Sequence, residues 1–112
     1  NSCIMYESLQ AGYIIDKESL PTISDGTAGG IEKDTLTFAP CQEFVDDFIL
    51  LNEDEIKSAL RLILEKQHVL IEGAAALPVA ASLKTYKELK DKNVVLILSG
   101  AKLSLSTLKS IL

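Results

Sequence analysis

One histidine, two cysteines and no tryptophan leave this chain little of the usual equipment for metal or redox chemistry. A zinc site needs a cluster of cysteine and histidine ligands at short spacings, and Cys3 and Cys41 stand far apart with His68 as the lone imidazole. Free thiols in a reducing cytoplasm are the expected state of both cysteines. His68 has no cysteine or carboxylate partner at nucleophile–base spacing. Basic residues are outnumbered, 11 against 16 acidic, for a net charge of −5. Phosphate backbones and anionic membrane surfaces are therefore poor partners. No apolar run approaches the roughly 20 residues of a membrane-spanning helix. The opening Asn1-Ser2-Cys3-Ile4-Met5 has neither the charged start nor the apolar core of a signal peptide. GxSxG, GxxxxGK[ST] and GxGxxG are all missing, which removes the common hydrolase, nucleotide and dinucleotide motifs.

What is present is enough apolar residue, 47% of 112, for one packed core. Residues 3–11 carry Ile4, Met5, Ser8 and Ala11 at helical spacing, with Gly12 as a stop. Residues 37–45 predict a short helix with Pro40 in its first turn. Asn52 followed by Glu55 is a capping-box pattern, and Ile56, Ala59, Leu60 and Ile63 then line one face of a helix to about Lys66. A small-residue helix begins at Gly73, with Pro78 tolerated only near its start. A final helix is capped by Ser104 or Ser106. Between them, 46–52, 68–72 and 94–98 read as strands, the last central in the sheet and the first nearer an edge. This alternation predicts an α/β fold: a three-layer, open, largely parallel sheet with helices on both faces.

In such sheets ligands bind beyond the carboxyl ends of the strands. Two strands end on a polar residue and a glycine: Ile71-Glu72-Gly73 and Leu98-Ser99-Gly100. The glycines allow close approach, and the helix after Gly73 aims its positive end at the same place. A third candidate is the Asp25-Gly26 turn, within the glycine-dense stretch Gly26, Gly29, Gly30. Glu72 stands out, because a carboxylate at the edge of an apolar run is costly without a partner. Asp46-Asp47 reads as a solvated strand entry, and Lys84, Lys87, Lys90 and Lys92 as the wet face and end of a helix.

Taken in order, TISDGTAGGIE, FVDDFILLNEDEIKSALRLILEKQHVLIEGAAAL and VVLILSG resemble the C-terminal portion of the pyridoxal-phosphate-dependent serine/threonine dehydratases, which share the tryptophan-synthase-β fold with serine racemase. The resemblance covers about Asn1 to Lys102. It implies a lyase that removes water from L-threonine or L-serine, leaving a 2-oxo acid and ammonia, with a racemase of the same family as the alternative. A non-catalytic interaction or regulatory module that kept the fold is the third reading. By the same implication Ser99 hydrogen-bonds the pyridine nitrogen of the cofactor, the Gly26 backbone packs against the cofactor region, and Glu72 lies near the ring, with Gly100 beside it. A neutral hydroxyl does not hold that nitrogen protonated as a carboxylate would, which makes the ring a milder electron sink suited to elimination.

The resemblance also implies that the Schiff-base lysine, the asparagine loop and the phosphate cup belong to an N-terminal part outside these 112 residues. That part is then the chain's partner, and the chain alone is expected to be inactive, with no catalytic residue of its own. Lys102 reads as a surface lysine. A small amino acid is the substrate, and a cytoplasmic homo-oligomer is the expected setting. Ile4 stands where metal-binding members carry aspartate, so no side-chain cation site is expected. Ala101-Lys102 after Ser99-Gly100 departs from the asparagine usual nearby.

Overall fold

A computed structural model describes all 112 residues, which group into two compact units: 1–22 with 28–50, and 23–27 with 51–112. In the first, α1 (Ile4–Ala11) ends at Gly12, whose left-handed φ of 79° lets its N–H turn back to the Leu9 carbonyl at 3.3 Å. Ser8 is fully buried on this helix and its hydroxyl accepts the Ile15 N–H at 3.1 Å. α2 (Phe38–Phe44) lies within the expected 37–45, and the Tyr6 and Phe48 rings pack tilted with centroids 6.0 Å apart.

The second unit is built on α3 (Glu53–Gln67) and α4 (Gly73–Lys84). α3 starts where Asn52 and Glu55 predict. The Asn52 side chain accepts the Glu55 N–H at 2.9 Å, while the Glu55 carboxylate accepts the Asn52 N–H at 2.7 Å. Such a cap is worth about 1 kcal/mol. The helix stops at His68, whose φ is 55°. Its buried face, Ile56, Ala59 and Leu60, meets Ala75, Ala76, Val79 and Ala80 of α4, with Ile71 and Ile111 completing the core. The alanines let the two backbones come close. Pro78 sits well inside α4 and the helix runs through it, further from the start than the sequence suggested. α5 (Leu105–Ile111) takes Ser104, not Ser106, as its cap: the Ser104 hydroxyl accepts the Thr107 N–H at 3.0 Å. At its other end the Arg61 Nε–H donates to the Ile111 carbonyl at 2.6 Å.

The expected sheet does not form within these residues. Segments 46–51, 68–72 and 94–98 are non-helical, as strands must be, yet none has a ladder partner. One backbone bond, from the Glu72 N–H to the Gly100 carbonyl at 3.2 Å, joins the ends of the last two. Ladder pairing is non-local, and the apolar run 94–98 stays open to solvent, with Val95 86% and Ile97 71% exposed. The layering and the central or edge places of 94–98 and 46–51 therefore stay expectations. No helix is long and apolar enough to cross a membrane.

Glu55 also pairs with Lys84 of α4 at 3.0 Å. The Asn52 N–H first, and then Lys84, hold its carboxyl below the usual carboxylate range. A depressed folded-state value stabilises the fold above the unfolded-state value and loses that contribution as pH falls through the folded one. Glu55→Gln keeps an acceptor for the cap but removes the charge. Denaturation curves should show the variant less stable near neutrality, with the gap closing as pH falls through and below the ordinary carboxylate range. A gap that persists there would mean the charge is not its source.

Candidate functional site

The segment from Ile23 to Thr27 is a tight turn in the second unit. Its Ile23 N–H is held by the Glu53 carboxylate at 2.8 Å. Ser24 is buried, and its hydroxyl shares a 2.7 Å hydrogen bond with that of Thr27. Thr27 also donates to the Ser24 carbonyl through both its N–H, at 3.1 Å, and its hydroxyl, at 3.0 Å. The resulting 3-10 turn, Asp25–Thr27, presents Gly26 to the start of α4. A Cβ at Gly26 would lie 3.2 Å from Oε1 of Glu72 and 3.1 Å from the Ala74 Cβ.

Glu72 is the N-cap residue of α4, but its side chain accepts no bond from the helix. The half-buried carboxylate turns to the other loop: Oε2 accepts the Lys102 N–H at 3.3 Å. A Cβ at Gly100 would stand 2.5 Å from Oε2 and 2.6 Å from Oε1. Gly100 has a φ of 99°, a left-handed backbone that favours glycine. Gly26, Glu72 and Gly100 thus converge, and Ser99 joins them through the chain. The Ser99 hydroxyl is exposed and has no hydrogen-bond partner within the chain. Of the four residues singled out from sequence, three meet around one carboxylate and the fourth is next in the chain.

Two participants escaped the sequence. The Lys102 main-chain N–H carries no side-chain signal, although the lysine itself is exposed as expected. The close seating of Gly73 on the Ile23 carbonyl spans fifty residues of sequence and is equally silent.

Elsewhere the chemistry is muted. Burial, and next the hydrogen bond to Glu7, push the Cys3 thiol up, so it stays protonated. Lys17 first, and then Cys3, hold the Glu7 carboxyl low, with the Lys17 ammonium 2.8 Å away. A cleft of about 310 Å³ in the first unit is lined by Tyr6, Cys41, Asp46, Asp47 and Phe48 among others, and pairs no nucleophile with a base. No group of three or more histidine, cysteine, aspartate or glutamate side chains is arranged to hold a metal. Ile4 is buried in α1.

The group around Glu72 sets a carboxylate engaged by main chain between two glycine turns, with the uncommitted Ser99 hydroxyl one residue before Gly100.

Comparison with known proteins gives the family. The pyridoxal-phosphate dependent enzymes match residues 1–100. A biosynthetic L-threonine dehydratase of Pasteurella multocida is 35% identical over 111 residues, 97% of this chain and 21% of that protein. The serine racemase of Dictyostelium discoideum is 39% identical, over 96% of this chain and 34% of its own length. The processed form of threonine deaminase isoform 2 from Solanum lycopersicum superposes with a TM-score of 0.86 at 28% identity, over 98% of this chain and 32% of that one. The chain spans a fifth to a third of the length of these proteins.

Proposed function

The chain belongs to the family of pyridoxal-phosphate dependent enzymes, and from that premise we propose that it supplies the ring-side wall of a dehydratase. The substrate would be L-threonine or L-serine, and the products a 2-oxo acid and ammonia. The observation that carries this reading is the convergence of Gly26, Glu72 and Gly100, with the unpartnered Ser99 immediately before Gly100 in the chain. When bound, the cofactor supplies a sink for the electron pair left as the substrate loses its α-proton. Ser99 would meet the pyridine nitrogen with a neutral hydroxyl, Glu72 would lie on the ring side, and Gly26 and Gly100 would let their two turns close on its carboxylate. Elimination then expels the β-hydroxyl as water, and water returning to the resulting imine releases ammonia. The lysine and phosphate contacts would come from an N-terminal part of the enzyme, and the holoenzyme would be a homo-oligomer.

The 39% identity to a serine racemase favours a second reading, inversion of the same small amino acids. One experiment separates them. The natural-length protein is incubated with pyridoxal phosphate and L-threonine or L-serine, and 2-oxo acid and D-amino acid are both assayed. We expect a visible absorbance band on cofactor uptake and 2-oxo acid as the main product. D-Serine with little 2-oxo acid would move the assignment to the racemase. No cofactor band and no turnover would reject both.

A further inference from the structure

We infer that Glu72 is a positioning residue, whose carboxylate holds the Gly100–Lys102 turn and through it aims the Ser99 hydroxyl. Both the main chain and the side chain of this one residue grip a span of three. The Glu72 N–H donates to the Gly100 carbonyl at 3.2 Å, and its Oε2 accepts the Lys102 N–H at 3.3 Å. The turn is closed on itself by the Leu103 N–H, which donates to the Ala101 carbonyl at 3.1 Å. Gly100 lies directly against the carboxylate, in space that any side chain would need, and its φ of 99° reverses the chain at that point. Ser99 is the residue immediately before this reversal. Its own hydroxyl has no partner in the chain, so nothing on its side chain sets its direction. The neighbouring turn sets it instead.

The same carboxylate does not cap α4, which is where a residue in its place would ordinarily spend its oxygens. Its other oxygen faces Gly26, 3.2 Å from where a Cβ would be. Glu72 therefore joins two loops distant in sequence at the start of α4. Only the last step, from turn to cofactor, rests on the function proposed above.

The test uses the natural-length protein and two readouts. Amide hydrogen exchange over 99–103 should quicken about tenfold in Glu72→Ala, the scale of one lost hydrogen bond, while α4 keeps its protection. Glu72→Gln retains an oxygen that accepts the Lys102 N–H and should restore exchange close to the original rate. Affinity for pyridoxal phosphate should also fall by up to about fivefold in Glu72→Ala, no more than loss of the Ser99 hydroxyl costs. It should fall no further when the same change is made in a Ser99→Ala background, because the two residues act in series. Unchanged exchange over 99–103, or losses of affinity that simply add, would overturn the inference. If Glu72→Ala does not fold, Gly100→Ala puts a methyl on the carboxylate and must give the same exchange signature, or the inference fails. Should the unaltered protein take up no pyridoxal phosphate, the cofactor reading falls by itself, and the exchange result still decides whether Glu72 holds the turn.

Discussion

Gly73→Ala should destabilise the chain by about 3 kcal/mol, the upper end of what overpacking a filled site costs. The sign is informative because intrinsic preference runs the other way. In a helix, alanine is favoured over glycine by up to about 1 kcal/mol, so an unobstructed Gly73 would tolerate or welcome the change. Gly73 is buried, and an added Cβ would fall on the Ile23 carbonyl, 2.6 Å from its carbon and 3.0 Å from the Ser24 Cα. All of these are backbone atoms, which no rotamer change can move aside. Nor is that backbone loose. Ile23 is tied to the Glu53 carboxylate through its N–H, and buried Ser24 is tied to Thr27. Relief requires the 23–27 turn to lift from α4, which opens the core beside Ile71 and Ala75 and displaces Gly26 from Glu72. Gly30→Ala is the control: nothing lies within 4 Å of its added Cβ, and stability should stay within about 0.5 kcal/mol. Thermal or urea denaturation of both variants decides the matter. A Gly73→Ala protein as stable as the original would show that the turn seats elsewhere.

The helices were legible because their signals are local. Asn52 and Glu55 announce α3, Gly12 ends α1, and the serine pair 104 and 106 leaves one residue of choice at α5, which Thr107 resolves by donating to Ser104. The apolar faces were legible for the same reason: Ile56, Ala59 and Leu60 recur at helical spacing and are the buried residues of α3. Sheet pairing was not, because a run such as 94–98 states only that it would be buried, never against what. Within these residues it finds no ladder partner at all. Pro78 shows a milder limit. Its missing N–H removes one helical bond, but Ala75, Ala76, Val79 and Ala80 are buried on either side and α4 continues past it to Lys84.

The site was half legible, and the dividing line is the difference between a residue and a contact. Glu72 drew notice as a carboxylate at the end of an apolar run, Gly26 and Gly100 as glycines in turns, and Ser99 as a hydroxyl at the end of a run. Their convergence depends on α4 beginning at Gly73, where the 23–27 turn and the 100–102 turn both arrive. The main-chain donor that meets Glu72 belongs to Lys102, and no side-chain pattern marks a backbone amide.

Ser99→Asp should change what the proposed enzyme makes more than how much cofactor it holds. The hydroxyl of Ser99 is exposed and uncommitted within the chain, so replacing it breaks no internal hydrogen bond and leaves the core untouched. A carboxylate at this position, facing a pyridine nitrogen, favours the protonated form of that nitrogen, by about 1–3 pKa units for an opposite charge at close range. At neutral pH this would raise the protonated share of the ring, the stronger electron sink. Product formation should then move away from elimination, with 2-oxo acid from L-threonine falling relative to racemised or transaminated side products by about tenfold or more per unit of that shift. Ser99→Ala removes the hydrogen bond without adding charge. It should cost about 1 kcal/mol of cofactor binding and leave the product ratio nearly as it was. Ser104→Ala, which removes the α5 cap, should lower stability by about 1 kcal/mol and leave the reaction alone. The three variants are compared by cofactor absorbance and by the ratio of 2-oxo acid to D-amino acid. Ser99→Asp with an unaltered spectrum and ratio would mean that residue 99 does not face the ring nitrogen, and the ring-side role would pass from Ser99 to another group near Glu72.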